Sequence, residues 1–392
     1  MKTGPELELL LACAGASRAQ DFESSAARLL GSSFNPDYFL FLAERQGLLP
    51  LAYRRLRDTS SHSIVPFDQL ARLKQRYTQN AARCLFLTSE LCRVLDVFEG
   101  AGIDAIPYKG PALSVAAYGD ATLRQFIDLD ILVRPCDVKR ATEMLVRLGF
   151  APHFKLKNAR EEETFLRLSY VQLFQREEDD VAIELHWNVA PRFFNFPVRI
   201  ERLWEHEGRL ALGGRQVRAI APEMLVLLLC VHGNKDFWLR LEWATAIDAL
   251  LSRNHDFNWA QLLIEARRYR ALRVLLVGLS LANDLLDTKL PDEVTRLIAA
   301  TPAIATLVET AKHTMFADAT PAPTLAEQLR FHTRSKDSVR DRFKYCARLA
   351  LTTTPVDWET LHLPASLSFV HALLRPLRLA RKYLAPSARR AS

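Results

Sequence analysis

Residues 128–130 read Asp-Leu-Asp within the run IDLDILV, with Phe126 just before it. The alternation has period two. Asp128 and Asp130 fall on one face of a strand, and Ile127, Leu129 and Ile131 fall on the other. Two carboxylates on one face of a buried strand repel each other, and burying them unpaired is expensive, so a cation is their natural partner. At this spacing they converge on a hard ion such as Mg²⁺ or Mn²⁺. A third carboxylate, Glu184, lies in AIELHW, on the face opposite Ile183 and Leu185. Three carboxylates on adjacent strands can hold two metal ions. One activates an attacking hydroxyl, and the other grips a triphosphate and neutralises the leaving group. Taken alone, Asp-x-Asp is equally the pattern of a solvent-facing edge strand. The order around it favours chemistry: a Lys109-Gly110 turn after a strand, then the acidic strand, a capped helix and a further acidic strand.

Other chemistry-bearing residues surround this core. His186 shares the face of Glu184 and suits three roles: a group behind the metal ligands, a nucleobase contact or a general base. The plainer alternative is a hydrogen-bonded histidine beside the site. His232 and Lys235, three apart at a helix end, either face a nucleotide or answer the negative end of the helix dipole. Trp187, Trp238, Leu241 and Trp243 read as core, and Asp248 as a member of a buried ion pair. P-loop, dinucleotide-binding, nucleophile-elbow and zincin patterns are all absent.

These residues need elements to place them. The first hundred residues read as helices. MKTGPELELLLACAGAS faintly mimics a signal peptide, but Glu6 and Glu8 interrupt it, so an amphipathic helix is expected. From Pro36 the stretch YFLFLAERQGLLPLAYRRLRD repeats apolar residues at three and four, and a longer helix runs from about Phe67 to Glu99 until Gly100 and Gly102. Strands follow at Ile103–Tyr108 and Ile127–Val133. Asp137 then caps a helix through Leu148, closed by Gly149. Tyr170–Gln175 and Val181–Trp187 form a hairpin around the acidic turn REEDD, and Arg209–Ile220 a second one at Gly213-Gly214. Helices resume at Pro222-Glu223, reach His232-Gly233, and continue over Lys235–Leu251 and beyond. Pro321 and Pro323 mark a loop. The expected fold is α+β: a small mixed-sheet core over 101–221, flanked by helical regions at 1–100 and 222–392.

At 392 residues the chain is long enough for two to three domains by the usual ~150 residues each. Its apolar fraction of 49% and charged fraction of 25% exclude wholesale disorder. The net charge of +7 is concentrated at one end. From Arg334 to Ser392 there are twelve Lys/Arg against four Asp/Glu. Such a segment attracts phosphate, nucleic acid or an acidic membrane surface, or is simply a solvated helical face. The six cysteines show no C-x-x-C pair and no zinc spacing, so they read as reduced thiols of a cytoplasmic protein. No run of 18 apolar residues occurs, so no membrane span is expected.

The run YKGPALSVAAYGDATLRQFIDLDILV, with IELHW after it, resembles the uncharacterised bacterial nucleotidyltransferase family within the polymerase-beta superfold. That family shows a Lys-Gly turn, a Tyr, an Arg, an Asp-x-Asp strand and a Glu-x-His-Trp strand in this order. HGNKDFW followed by RLEWATAIDALL resembles its helical signature, and TPVDWETLHLPASLSFVHALLRPLRLARKYL its usual ending. The resemblance covers about residues 20–385. It implies Asp128, Asp130 and Glu184 as a catalytic metal triad for Mg²⁺ or Mn²⁺, with an NTP as substrate. It also implies Lys109-Gly110 as the turn facing the phosphates and Arg124 as a phosphate contact or a partner of the triad. Enzymes of the wider superfold usually carry Gly-Ser or Gly-Gly at this turn. Here Pro111 follows and has no amide proton to donate. Ser114 on the next helix is the candidate substitute, and Lys109 supplies positive charge.

The expected activity is transfer of a nucleoside monophosphate from an NTP to an acceptor hydroxyl, with release of pyrophosphate. The acceptor can be a small molecule, peptide or protein, with nucleic acid less favoured. The alternatives are a non-catalytic nucleotide- or partner-binding protein on a degenerate transferase fold, and an RNA-binding role for the basic end. Three further expectations follow. The three carboxylates converge. Asn at 128 or at 130 leaves the metal-free fold intact or slightly more stable, by relieving repulsion. The nucleotide lies between the sheet and the helices after Pro222.

Overall fold

The computed structural model describes residues 4–15, 22–30, 34–58, 67–156, 158–198, 200–205, 207–317, 323–352 and 375. The sequence stretch TPVDWETLHLPASLSFVHALLRPLRLARKYL lies, apart from Arg375, outside the described residues, as do Pro321 and the basic residues from Arg378 onward.

Among the described residues, five helices come first: α1 (Pro5–Ala14), α2 (Phe22–Leu29), α3 (Pro36–Arg45), α4 (Leu49–Arg57) and the long α5 (Phe67–Gly100). The sheet region follows: β1 (Ala105–Pro107), α6 (Gly110–Tyr118), β2 (Asp128–Val133), α7 (Val138–Arg147), β3 (Ala151–Pro152), α8 (Ala159–Leu168), β4 (Val171–Arg176), β5 (Val181–His186) and α9 (Ile200–Glu205). A separate hairpin of β6 (Glu207–Leu212) and β7 (Arg215–Ile220) leads into helices α10 (Pro222–Lys235), α11 (Glu242–Arg253), α12 (Trp259–Arg268) and α13 (Leu272–Leu286). The described chain continues with α14 (Asp292–Ala299), α15 (Ala303–Phe316), α16 (Leu325–Arg334) and α17 (Val339–Leu351). No single helix among the described residues is long and apolar enough to cross a membrane.

The five strands are ordered β1-β2-β5-β4-β3. β2 runs antiparallel to β1 and parallel to β5, so the sheet is mixed, and its register sets Asp130 directly opposite Glu184. Period two sorts the residues as a half-polar sheet must. Leu129, Ile131, Ile183 and Leu185 are fully buried against α5 and α7 through Leu91, Val94, Phe98 and Leu145. The other face carries the carboxylates. α7 forms because Val138, Ala141 and Leu145 recur on one side, and Gly149 stops it. A second apolar cluster joins α1, α3 and α4 to α10, α11 and α13.

Several local expectations change. α1 is not amphipathic: Leu7, Leu9, Leu10, Leu11, Ala12 and Cys13 are all buried, and buried Glu6 accepts a hydrogen bond from the Asn35 backbone. The stretch from Pro36 is two helices, because the chain turns where the buried Gln46 side chain bridges Met315 O and Leu241 N. Ile127 lies just before β2 and is 81% exposed, so only Leu129 and Ile131 form the apolar side. Lys235–Leu251 is likewise not one helix. Phe237 and Trp238 adopt left-handed backbone after α10, with the Trp238 amide donating to Gly233 O at 2.7 Å. The fully buried Trp238 ring lies so close that a Cβ on Gly233 would meet it at 2.7 Å. Packing of one indole therefore ends α10 and redirects α11.

Candidate active site

Asp130 is the centre of the polar face of the sheet and only 3% exposed. Its Oδ1 accepts from Lys109 Nζ at 2.5 Å and lies 3.0 Å from His186 Nε2. The same His186 nitrogen lies 3.1 Å from Glu184 Oε2. With its proton on Nε2, the imidazole donates to both carboxylates, which leaves Nδ1 buried without a partner among the described residues. One ligand atom each from Asp130, Glu184 and His186 lie within 4.8 Å of one another, a mixed oxygen and nitrogen set able to hold a divalent ion.

Electrostatics divide the two aspartates. Burial alone would raise the Asp130 carboxyl, but Lys109 and then His186 hold it well below the usual range. The Asp130 carboxylate in turn keeps the Lys109 ammonium well above its ordinary value against burial. Asp128 goes the other way, pushed up to about 6 by burial and by the charges of Asp130 and Glu184. Asp128 is outside the tight three-residue group, yet it feels that group's negative charge across the same cleft.

Local backbone sets these positions. Gly110 has φ +51°, and a Cβ there would lie 3.2 Å from Asp128 O, so the turn after β1 needs glycine to bring Lys109 over Asp130. Lys109 and Gly110 both line the cleft. Ser114 does not: it is fully buried, and its hydroxyl donates to Asp120 O at 2.7 Å. The structure therefore does not bring Ser114 together with the other candidates.

The cleft holds about 660 Å³, within the range of small-molecule sites. The sheet forms one wall. The other comes from α10 and α11, through Leu225, Leu228, Leu229, His232, Lys235 and Trp243. His232 stacks edge-on against Trp243 at 5.2 Å and stays neutral, held well below its ordinary pKa by burial and by the charges of Lys109 and Lys235. Lys235 lies 3.6 Å from Asp236, whose carboxyl is raised by burial despite that lysine.

Arg124 also lines the cleft but does not pair with the acidic cluster. It is buried and bonded to Glu242 at 3.3 Å, and Arg240 meets the other oxygen of Glu242 at 3.1 Å. Sequence reasoning missed Glu242, Arg240, Gln125, Asp236 and Tyr170 as cleft residues. Glu242 and Arg240 lie in RLEW and Asp236 in HGNKDFW, so the marked stretches contained the signal, but only the helix break at Trp238 turns them inward. Arg124 Nε, Gln125 Oε1 and Arg240 Nε are buried without a hydrogen-bond partner among the described residues. Together with His186 Nδ1, they leave four unmet polar atoms on residues that line one cleft.

Trp187 and Trp238 are core residues, as expected, and Asp248 is fully buried, accepting from the Thr288 hydroxyl at 2.6 Å.

Comparison with known proteins adds three findings. No curated protein matches the sequence. One structural match is described as the crystal structure of an antigenic nucleotidyltransferase-like protein from Paracoccidioides brasiliensis. Its identity is 15% and its TM-score 0.34, over 54% of this chain and 96% of that one. The family model described as uncharacterised nucleotidyltransferase matches residues 32–287, a span that contains the whole cleft. With well over half of its length matched, and with the acidic cleft inside the match, the chain belongs to this family of uncharacterised nucleotidyltransferases.

Proposed function

We propose that the chain transfers a nucleoside monophosphate from an NTP to an acceptor hydroxyl with release of pyrophosphate, on a fold of the polymerase-beta kind. The observation that carries this reading is the Asp130–Glu184–His186 cluster, with Asp128 beside it, inside a cleft of nucleotide size. The donor set fits a divalent ion of the Mg²⁺ or Mn²⁺ type: two carboxylates with ligand atoms within 4.8 Å, and a third, Asp128, whose carboxyl is raised by burial and then by the charges of Asp130 and Glu184. Asp128, Asp130 and Glu184 would hold the metal, with His186 as a further ligand or as the group that orients the carboxylates. A bound ion would supply Lewis acidity to the acceptor hydroxyl and charge neutralisation to the triphosphate.

The chain's own residues do the rest. Lys109 is a movable point charge that can leave Asp130 for a phosphate. Lys235 faces it from the helical wall, and neutral His232 offers a hydrogen bond without adding charge. Leu225, Leu228, Leu229 and Trp243 keep that wall apolar and exclude water. Glu242 fixes the Arg124 and Arg240 guanidiniums at the cleft edge. The division into 1–100, 101–221 and 222–392, and a cytoplasmic location, belong to the same reading.

Mn²⁺ titration followed by electron paramagnetic resonance tests it, with and without a non-hydrolysable NTP. The wild-type chain should bind Mn²⁺ more tightly with nucleotide present, and Glu184→Gln should lose that binding. Metal-independent nucleotide binding, equal in both proteins, would favour a non-catalytic binding protein.

A further inference from the structure

The end of α12, the start of α13 and helix α17 border two neighbouring open hollows, and none of their lining residues lines the acidic cleft. The first, of about 440 Å³, presents Arg202, Arg268, Lys344 and Arg348. The second, of about 770 Å³, presents Arg267, Arg273 and Arg340. Arg270 and Asp341 belong to both.

The acids here are already engaged. Asp341 accepts from Arg270 at 2.7 Å and from the Ser338 hydroxyl at 2.6 Å. Asp337 spends its carboxylate on the first amides of α13, at 3.0 Å from Leu272 N and 2.8 Å from Arg273 N. Arg267, Arg340 and Lys344 make no ion pair among the described residues. Arg270 has φ +52°, a conformation that usually calls for glycine or asparagine, and it stands on the wall between the hollows.

We propose that these hollows form a docking surface for a single-stranded nucleic acid, held through its phosphodiester backbone. All but one of the cations are arginines, whose planar forks match phosphate oxygens two at a time. Two adjoining cationic hollows suit a chain of phosphates better than one isolated anion. They are concave, which a bilayer surface cannot fill. On α17, Phe343 is 75% exposed and lies one helical turn from Arg340 of the second hollow, a platform at its rim on which an unpaired base can stack. An acidic peptide offers no such stacking partner. This inference does not depend on the transferase reading.

Fluorescence anisotropy of the full chain with labelled 15-mers of oligo(U) and oligo(dT) at low salt tests it. Because the contacts are to phosphates, both probes should bind with affinities within about threefold of each other. The triple substitution Arg267→Glu, Arg340→Glu, Lys344→Glu should weaken binding at least tenfold. It should also flatten the plot of log affinity against log salt by about two units, at ~0.7 per phosphate contact in a single strand. Phe343→Ala should weaken binding severalfold. Circular dichroism melts check folding. If charge reversal unfolds the chain, the same three positions changed to Gln give the same reading. Mn²⁺-dependent NTP binding in the cleft should be unchanged by the triple substitution, which separates this surface from the proposed active site. The proposal is overturned by wild-type affinity in the triple variant, by absence of oligonucleotide binding, or by equal competition from polyglutamate or from vesicles containing phosphatidylserine.

Discussion

The Lys109 ammonium sits 2.5 Å from Asp130 Oδ1, the oxygen that His186 also approaches at 3.0 Å. Asp130 is therefore neutralised before any metal arrives. Asp128, two residues earlier on the same face, makes no ion pair among the described residues, and its carboxyl is raised to about 6. The two aspartates of one motif thus carry opposite energetic signs. The expectation that Asn at either position leaves the metal-free fold intact or slightly more stable is therefore kept for Asp128 and revised for Asp130, whose charge Lys109 and His186 already balance.

Asp128→Asn should stabilise the metal-free protein at pH 8 by on the order of 2 kcal/mol. A raised pKa means that stability is lost as pH climbs from about 4 through 6, so the gain should vanish near pH 4. Asp130→Asn should destabilise by about 3 kcal/mol, because it strands the Lys109 charge. The depressed Asp130 pKa places its contribution above pH ~4, with loss on further acidification. Denaturant unfolding in EDTA at pH 4.5 and pH 8 reads both, and equal shifts for the two variants would contradict the assignment.

Metal binding should release protons near pH 5.5, since Asp128 is largely protonated there and must ionise to meet a cation. Mn²⁺ affinity should rise roughly tenfold from pH 5 to pH 7, because the ionised fraction of a carboxyl with a pKa of about 6 rises about tenfold over that range. In Asp128→Asn, the part of this rise carried by Asp128 should disappear. Calorimetry in two buffers of different ionisation enthalpy counts the protons.

On the helical wall, Lys235→Ala should weaken binding of a non-hydrolysable NTP by about 1–3 kcal/mol, the loss of one charge-assisted hydrogen bond. His232→Ala should have a smaller effect, because the neutral imidazole contributes no charge. Unchanged affinity in both variants would move the nucleotide away from α10.

The Arg124–Glu242 pair tests the cleft edge. Both side chains are under 9% exposed, so Glu242→Gln, which strands buried Arg124, should destabilise by about 3–5 kcal/mol, and Arg124→Ala by less, because Arg240 still meets Glu242. The double variant should fall short of the sum, because the partner left behind is no longer charged and buried. A double-mutant cycle on thermal unfolding measures this, and strict additivity would rule out a coupled pair.

Much of the site was readable from residue types alone. Period-two alternation at 128–131 and 183–186 is strict, so the polar face that carries Asp130 and Glu184 followed from pattern, while the register that sets the two opposite each other did not. Three features were not readable. Ser114 sits beside the turn in sequence, but α6 rotates its hydroxyl toward Asp120 O. Ile127 continues the apolar alternation but precedes the strand, and no neighbour covers it. Glu242 joins Arg124 only because Trp238 breaks the helix after Lys235, and that break depends on an indole that fits between Gly233 and the distant Gly278 of α13. Such contacts depend on distant parts of the chain, which local periodicity does not encode.

The central claim is best tested by incubating the chain with each NTP labelled at the α- or the γ-phosphate, together with Mg²⁺ or Mn²⁺ and a lysate fraction. The account predicts a product carrying the α-label and never the γ-label, formed with pyrophosphate, and lost with EDTA or in Asp130→Asn. A γ-labelled product, or equal product from a clean Asp130→Asn preparation, would contradict it.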